Sequence, residues 1–90
     1  MEELREEVLI VNKLGMHARP AAKLVQTALR FNSDIHLQSN SHMVNAKSIM
    51  GLLTLAAAQG SRVTLICRGS DAREAMDAVK ELFASGFGED

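Results

Sequence analysis

The chain has 90 residues, 47% of them hydrophobic, and a formal net charge of −1. Such a chain folds as one small domain with a modest core, and it carries no basic field to attract nucleic acid. Its single cysteine, Cys67, allows neither an internal disulfide nor a cysteine-held metal.

No apolar run approaches the roughly 20 residues of a membrane span. The charged segment from Met1 to Glu7 is the opposite of a signal peptide. A cytoplasmic monomer that neither inserts in membranes nor needs a cofactor or metal is expected.

The first predicted strand is Glu6 to Asn12, with Val8 and Ile10 sharing the core face. Lys13 to Met16 form a loop. An amphipathic helix follows from Ala18 to about Phe31, with Ala21, Leu24, Val25, Ala28 and Leu29 on its apolar face. Ile35 and Leu37 point inward from a second strand, and the turn Ser39-Asn40-Ser41 leads to a third, His42 to Ala46, with Val44 and Ala46 inward. His36 and His42 read as solvated.

Ser48 is an N-cap for a short helix ending before Gln59. Leu52, Leu55 and Ala56 face inward there, leaving Met50 and Leu53 outward. Arg62 to Arg68 is a fourth strand, with Val63, Leu65 and a buried, unreactive Cys67 on one face. Asp71 and Glu74 have the spacing of a capping box before the last helix. Its buried stripe is Ala72, Ala75, Met76, Val79, Leu82 and Phe83, and Ser85-Gly86 ends it. The order is β-α-β-β-α-β-α. It predicts an α+β two-layer sandwich, with helices on one side of a mostly antiparallel four-stranded sheet. One domain spans 1–90, frayed at 1–4 and 87–90.

The chemistry concentrates at Gly15-Met16-His17-Ala18-Arg19-Pro20-Ala21-Ala22, where an extended segment becomes a helix. Gly15 permits a sharp turn or positive φ, and Pro20 fits a first helical turn. His17 then lies beside unpaired N–H groups at the positive end of a helix dipole, a place that binds phosphate. Arg19 adds a permanent planar donor for the same oxyanion. In isolation the motif reads first as a surface histidine near a helix cap. The strands carry no aromatic residue for stacking bases, and there is no Cys-x-x-Cys for metal carriage. Transient phosphorylation of His17 is left as the sharpest reading, since a half-exposed site with one arginine can release a phosphoryl group again.

The Gly15–Ala21 motif resembles the active-site motif of the HPr family, the histidine-containing phosphocarrier proteins of the bacterial phosphoenolpyruvate-dependent sugar phosphotransferase system. Lys47-Ser48-Ile49-Met50-Gly51 resembles that family's second signature, and the separation of the two motifs, the length and the element order agree. The resemblance covers nearly the whole chain. It implies an open-faced β-sandwich with strand order 1-4-2-3. It implies that His17 accepts a phosphoryl group on Nδ1 from phosphorylated enzyme I, with Arg19 in support, and passes it to EIIA domains of sugar permeases. It implies that Ser48 is the serine modified by the ATP-dependent HPr kinase/phosphorylase. Ala18, Ala22, Ile49, Met50 and Leu53 would form an apolar docking surface, with Lys23 and Lys47 as its positive rim. Leu14 stands where some members carry Asn or Ser. A nitrogen-related regulatory carrier of the same fold is the alternative; a purely regulatory binding protein is disfavoured because such relatives lack the histidine.

Overall fold

The computed structural model describes residues 2–55 and 57–89. Four strands, β1 (Glu3–Leu9), β2 (Asp34–Ser39), β3 (His42–Asn45) and β4 (Arg62–Arg68), alternate with three helices, α1 (Ala18–Ala28), α2 (Ile49–Leu55) and α3 (Ala72–Ala84). The sheet order is β1-β4-β2-β3 and all three pairings are antiparallel. Val8, Ile35, Leu37, Val44, Val63, Leu65 and Cys67 form the buried face, as alternation predicts. Ala21, Leu24 and Ala28 of α1, Leu52 and Leu55 of α2, and Ala75, Met76, Val79 and Phe83 of α3 complete the same cluster. The result is the open-faced α+β sandwich. Ala56, expected to point inward, lies outside the described residues.

Several boundaries differ from expectation. Strand β1 begins at Glu3 and is paired as far as Glu3↔Arg68, so residues 3 and 4 are not frayed. The acidic segment is tolerated in a strand because cations oppose it. Glu6 is 2.6 Å from Lys80 and 3.8 Å from Arg73 of α3, and Glu7 is 3.8 Å from Arg62 of β4. Those cations, led by the Lys80 hydrogen bond, hold the Glu6 carboxyl below its usual range against the opposing effect of burial. Helix α1 stops at Ala28, so Leu29 falls in the following turn and is 62% exposed rather than on the apolar stripe.

Asp71 and Glu74 do not form a capping box. Asp71 sits at the N-cap of α3, but its side chain makes no capping bond to that helix. Its carboxylate accepts instead from the backbone N–H of Asn32 and of Ser33, at 2.9 Å each, and from the Ser33 hydroxyl. It thereby ties the α1–β2 turn to the start of α3. The Ser33 and Asn32 hydrogen bonds lower its pKa.

Residues 87–89 are likewise packed rather than frayed, and residue 90 lies outside the described residues. Gly86, Phe87 and Gly88 form a 3₁₀ turn in which all three residues have positive φ, 63°, 58° and 72°. A phenylalanine rarely adopts that conformation. Here it is held by burial: Phe87 is 1% exposed, with its ring 4.8 Å from that of Phe83 at 63°. Burying such a side chain contributes about 1.5–3 kcal/mol, enough to offset the backbone strain of about 1–3 kcal/mol.

Candidate functional site

His17 is the N-cap residue of α1, in extended backbone at φ −102° and ψ −168°. Two close approaches fix it there. Gly15 has φ +67°, and a Cβ on it would lie 2.3 Å from the Ala57 carbonyl oxygen. Only glycine fits. The Met16 N–H donates to that same oxygen at 2.9 Å, so the loop is stitched to the segment after α2. The Ala21 N–H then donates to the His17 carbonyl at 3.0 Å, closing the first helical turn.

The His17 side chain makes no capping bond to its own helix. The first N–H groups of α1, those of Ala18 and Arg19, have no intrahelical partner by construction, and Pro20 has none to offer. The ring is 34% exposed and borders a cleft of about 580 Å³ lined by Lys13, Leu14, His17, Arg19, Lys23, Gly88 and Glu89. Three permanent cations and a helix N-terminus converge there.

Two further residues, to which no local pattern in the sequence assigns a role, complete the site. Both carboxylate oxygens of Glu89 lie 3.1 Å from His17 Nε2. Asn12, 2% exposed, donates from Nδ2 to Glu89 Oε1 at 3.1 Å and to the Gly15 carbonyl at 2.8 Å. Among the described residues its Oδ1 finds no partner. Burial pushes the Glu89 carboxyl up, but the His17 and Asn12 hydrogen bonds and the charges of His17 and Arg19 outweigh it. The net effect holds it below the usual carboxylate range. The available signal was Gly86-Phe87-Gly88: a rare aromatic between two glycines can fold a tail back onto a core.

Of the residues singled out in the sequence, His17, Arg19 and Lys23 share the cleft. Lys47, Ser48, Ile49, Met50 and Leu53 lie outside it, the first two just before α2 and the other three on that helix, which packs on α1. Ile49, Met50 and Leu53 are 42%, 73% and 37% exposed, Ala18 is exposed and Ala22 is half-buried. Leu14, not assigned to the docking surface, is the most exposed large apolar side chain described, at 75%. The two rim lysines are engaged internally: Lys23 Nζ donates to the Phe87 carbonyl at 2.6 Å and Lys47 Nζ to that of Phe31 at 2.8 Å. Ser48 is a true N-cap, its Oγ accepting from the Gly51 N–H at 3.1 Å. Cys67 is fully buried, and burial pushes its thiol up to about 11, so it is inert.

Comparison with known proteins agrees with this arrangement. A family model described as the PTS HPr component phosphorylation site matches residues 4–85. The chain is 51% identical over 86 residues to the phosphocarrier protein HPr of Cupriavidus necator, covering 96% of this chain and 97% of that one. Its fold is similar to the crystal structure of HPr-C-His from Thermoanaerobacter tengcongensis, with a TM-score of 0.90 at 47% identity, covering 100% and 99% of the two chains. It is likewise similar to HPr from Bacillus anthracis, with a TM-score of 0.87 at 42% identity, covering 92% and 99%. With the family model, the sequence identity and the fold all in agreement, the chain belongs to the HPr family of phosphocarrier proteins of the phosphotransferase system.

Proposed function

We propose that His17 accepts a phosphoryl group on Nδ1 from phosphorylated enzyme I, itself charged by phosphoenolpyruvate, and hands it to the EIIA domain of a sugar permease. The observation that carries this reading is the state of the His17 ring. Nε2 is occupied by Glu89, so Nδ1 is the nitrogen left for chemistry, on a residue whose neighbours are unpaired helix N–H groups. Arg19 supplies positive charge to the equatorial oxygens in a loose transition state. The site is open enough for a partner histidine to reach the phosphorus in line. It holds phosphate with partial charges and one guanidinium, so the group can leave again. Ala18, Ala22, Ile49, Met50 and Leu53, with Leu14, give partners an apolar contact of small area, suited to fast exchange.

Ser48 carries the second part of the proposal, phosphorylation by the ATP-dependent HPr kinase/phosphorylase. Its Oγ already points at the helix N–H of Gly51. A phosphate there adds about −1.5 to −2 charge beside Met50 and Leu53 and repels acidic partner surfaces. No helix among the described residues is long and apolar enough to cross a membrane. In this proposal the carrier works in the cytoplasm, as a monomer moving between its partners.

Incubation with phosphoenolpyruvate and enzyme I should yield an acid-labile phosphate on the parent and none on His17→Ala. Equal labelling of both would remove the carrier reading. For Ser48, an acid-stable label from ATP and the kinase should disappear in Ser48→Ala; its persistence would place the modification elsewhere.

A further inference from the structure

The end of the chain is brought to His17 by several separate devices. Phe87 is locked under Phe83, and the left-handed run from Gly86 to Gly88 reverses the chain. Lys23 clasps the Phe87 carbonyl at 2.6 Å. Asn12, buried at the other side of the loop, grips the Glu89 carboxylate itself. The carboxylate is only 14% exposed and both its oxygens are 3.1 Å from one ring nitrogen. A freely solvated tail would show none of these features.

We infer that Glu89, held by Asn12, is a positioning residue for phosphoryl transfer: it accepts a hydrogen bond from His17 Nε2–H and so keeps the Nδ1 lone pair free to attack phosphorus. This rests on His17 being the phosphoryl acceptor. An unconstrained imidazole can carry its proton on either nitrogen, and the tautomer with Nδ1–H cannot act through Nδ1. The carboxylate selects the other tautomer, in the manner of any carboxylate–histidine pair that orients a reacting ring.

The proton also has a role in the return step. The Nδ1 lone pair forms the N–P bond as the donor's bond to phosphorus breaks, and the donor nitrogen keeps that electron pair. The ring is then a phosphoimidazolium, with Nε2–H still paired to Glu89. In onward transfer the electrons of the Nδ1–P bond return to Nδ1, and a neutral imidazole departs. Were Nε2–H lost, the leaving group would be an imidazolate, a far stronger base. Glu89 thus lets phosphate pass in both directions without moving a proton. The other charged groups facing the ring across the cleft, Lys13, Arg19 and Lys23, are all cations and cannot accept that hydrogen bond.

The test uses ¹⁵N spectra of the His17 ring at pH 8.5, with no phosphoryl donor present, alongside rapid-quench phosphorylation by enzyme I. The parent should hold the Nε2–H tautomer. Glu89→Ala should raise the ratio of Nδ1–H to Nε2–H about fivefold and slow phosphoryl acceptance by about 3- to 10-fold, with backbone amide shifts altered only around the cleft. Glu89→Gln, which keeps an acceptor oxygen but no charge, should fall between the two. An unchanged tautomer ratio in Glu89→Ala overturns the proposal, as does a slower rate without a tautomer change, which would mark a role in packing or docking. A parent that takes no phosphate at all instead overturns the reading of His17 as acceptor, and it does so whatever the tautomers show.

Discussion

Helices α1 and α2 pack on one another, but their N-termini are finished in opposite ways. At α2 the Ser48 hydroxyl turns back and caps the Gly51 N–H. At α1 the residue in the same position, His17, turns its side chain away from its own helix and toward Glu89. A capped terminus has given its first donors to the fold. An uncapped one keeps them for an incoming anion, and the local loss of stability is made up elsewhere, by the Gly15–Ala57 approach and the Phe87 anchor. The difference separates a terminus used for structure from one held open for chemistry.

Substitutions should therefore divide by terminus, and the largest effect belongs at α1. His17→Ala should abolish phosphoryl acceptance while changing stability by less than about 1 kcal/mol, because no helix cap is lost. Denaturant titration beside the labelling assay checks both halves. Gly15→Ala comes next. Its Cβ would meet a backbone carbonyl at 2.3 Å in left-handed backbone, so the fold should lose about 2–4 kcal/mol. A calorimetric midpoint lowered by at least about 10 °C would register this.

Arg19→Ala should slow transfer about 10- to 100-fold, with Arg19→Lys recovering part of it in rapid-quench measurements. Ser48→Ala should behave in the reverse sense. It should cost about 1 kcal/mol of stability and leave transfer from enzyme I unchanged. Ser48→Asp should keep the cap yet weaken docking to acidic partners. A Ser48→Ala variant of full stability but impaired transfer would break the contrast between the two termini.

The smallest effect concerns acid. Asp71 has a folded-state pKa below its ordinary value of 3.8, owing to the Ser33 and Asn32 hydrogen bonds. Its stabilisation is fully present above the unfolded pKa and is lost as pH falls through the lower, folded one. Asp71→Asn should remove this acid-side step from a plot of melting temperature against pH below about pH 4.

The strands and the buried helix stripes were legible because alternation and the i, i+3, i+4 spacing report local burial directly. The Gly15–Ala22 stretch was legible for a different reason: Gly, His, Arg and Pro each have a positional meaning at a helix start. What could not be read was every contact between distant segments. Glu3, Leu4 and Arg5 belong to β1 because Arg68, Cys67 and Ile66 of β4 pair with them. Asp71 has the spacing of a cap, but a turn nearly forty residues earlier competed for its carboxylate. The tail 87–90 reads as frayed because it stands at the chain's end and is short and rich in glycine and acid. The burial of Phe87 and the His17–Glu89 pair depend on where α3 ends relative to α1, which no local pattern records.

The central claim is that phosphate travels on one nitrogen of His17, and it is best tested by ¹⁵N spectroscopy of the protein charged by enzyme I and phosphoenolpyruvate. One-bond coupling of phosphorus to His17 Nδ1, with Nε2 still protonated, is the predicted result. Coupling to Nε2 would mean that Glu89 must be displaced for the reaction to occur. Phosphorus on any residue other than His17 would contradict the account as a whole.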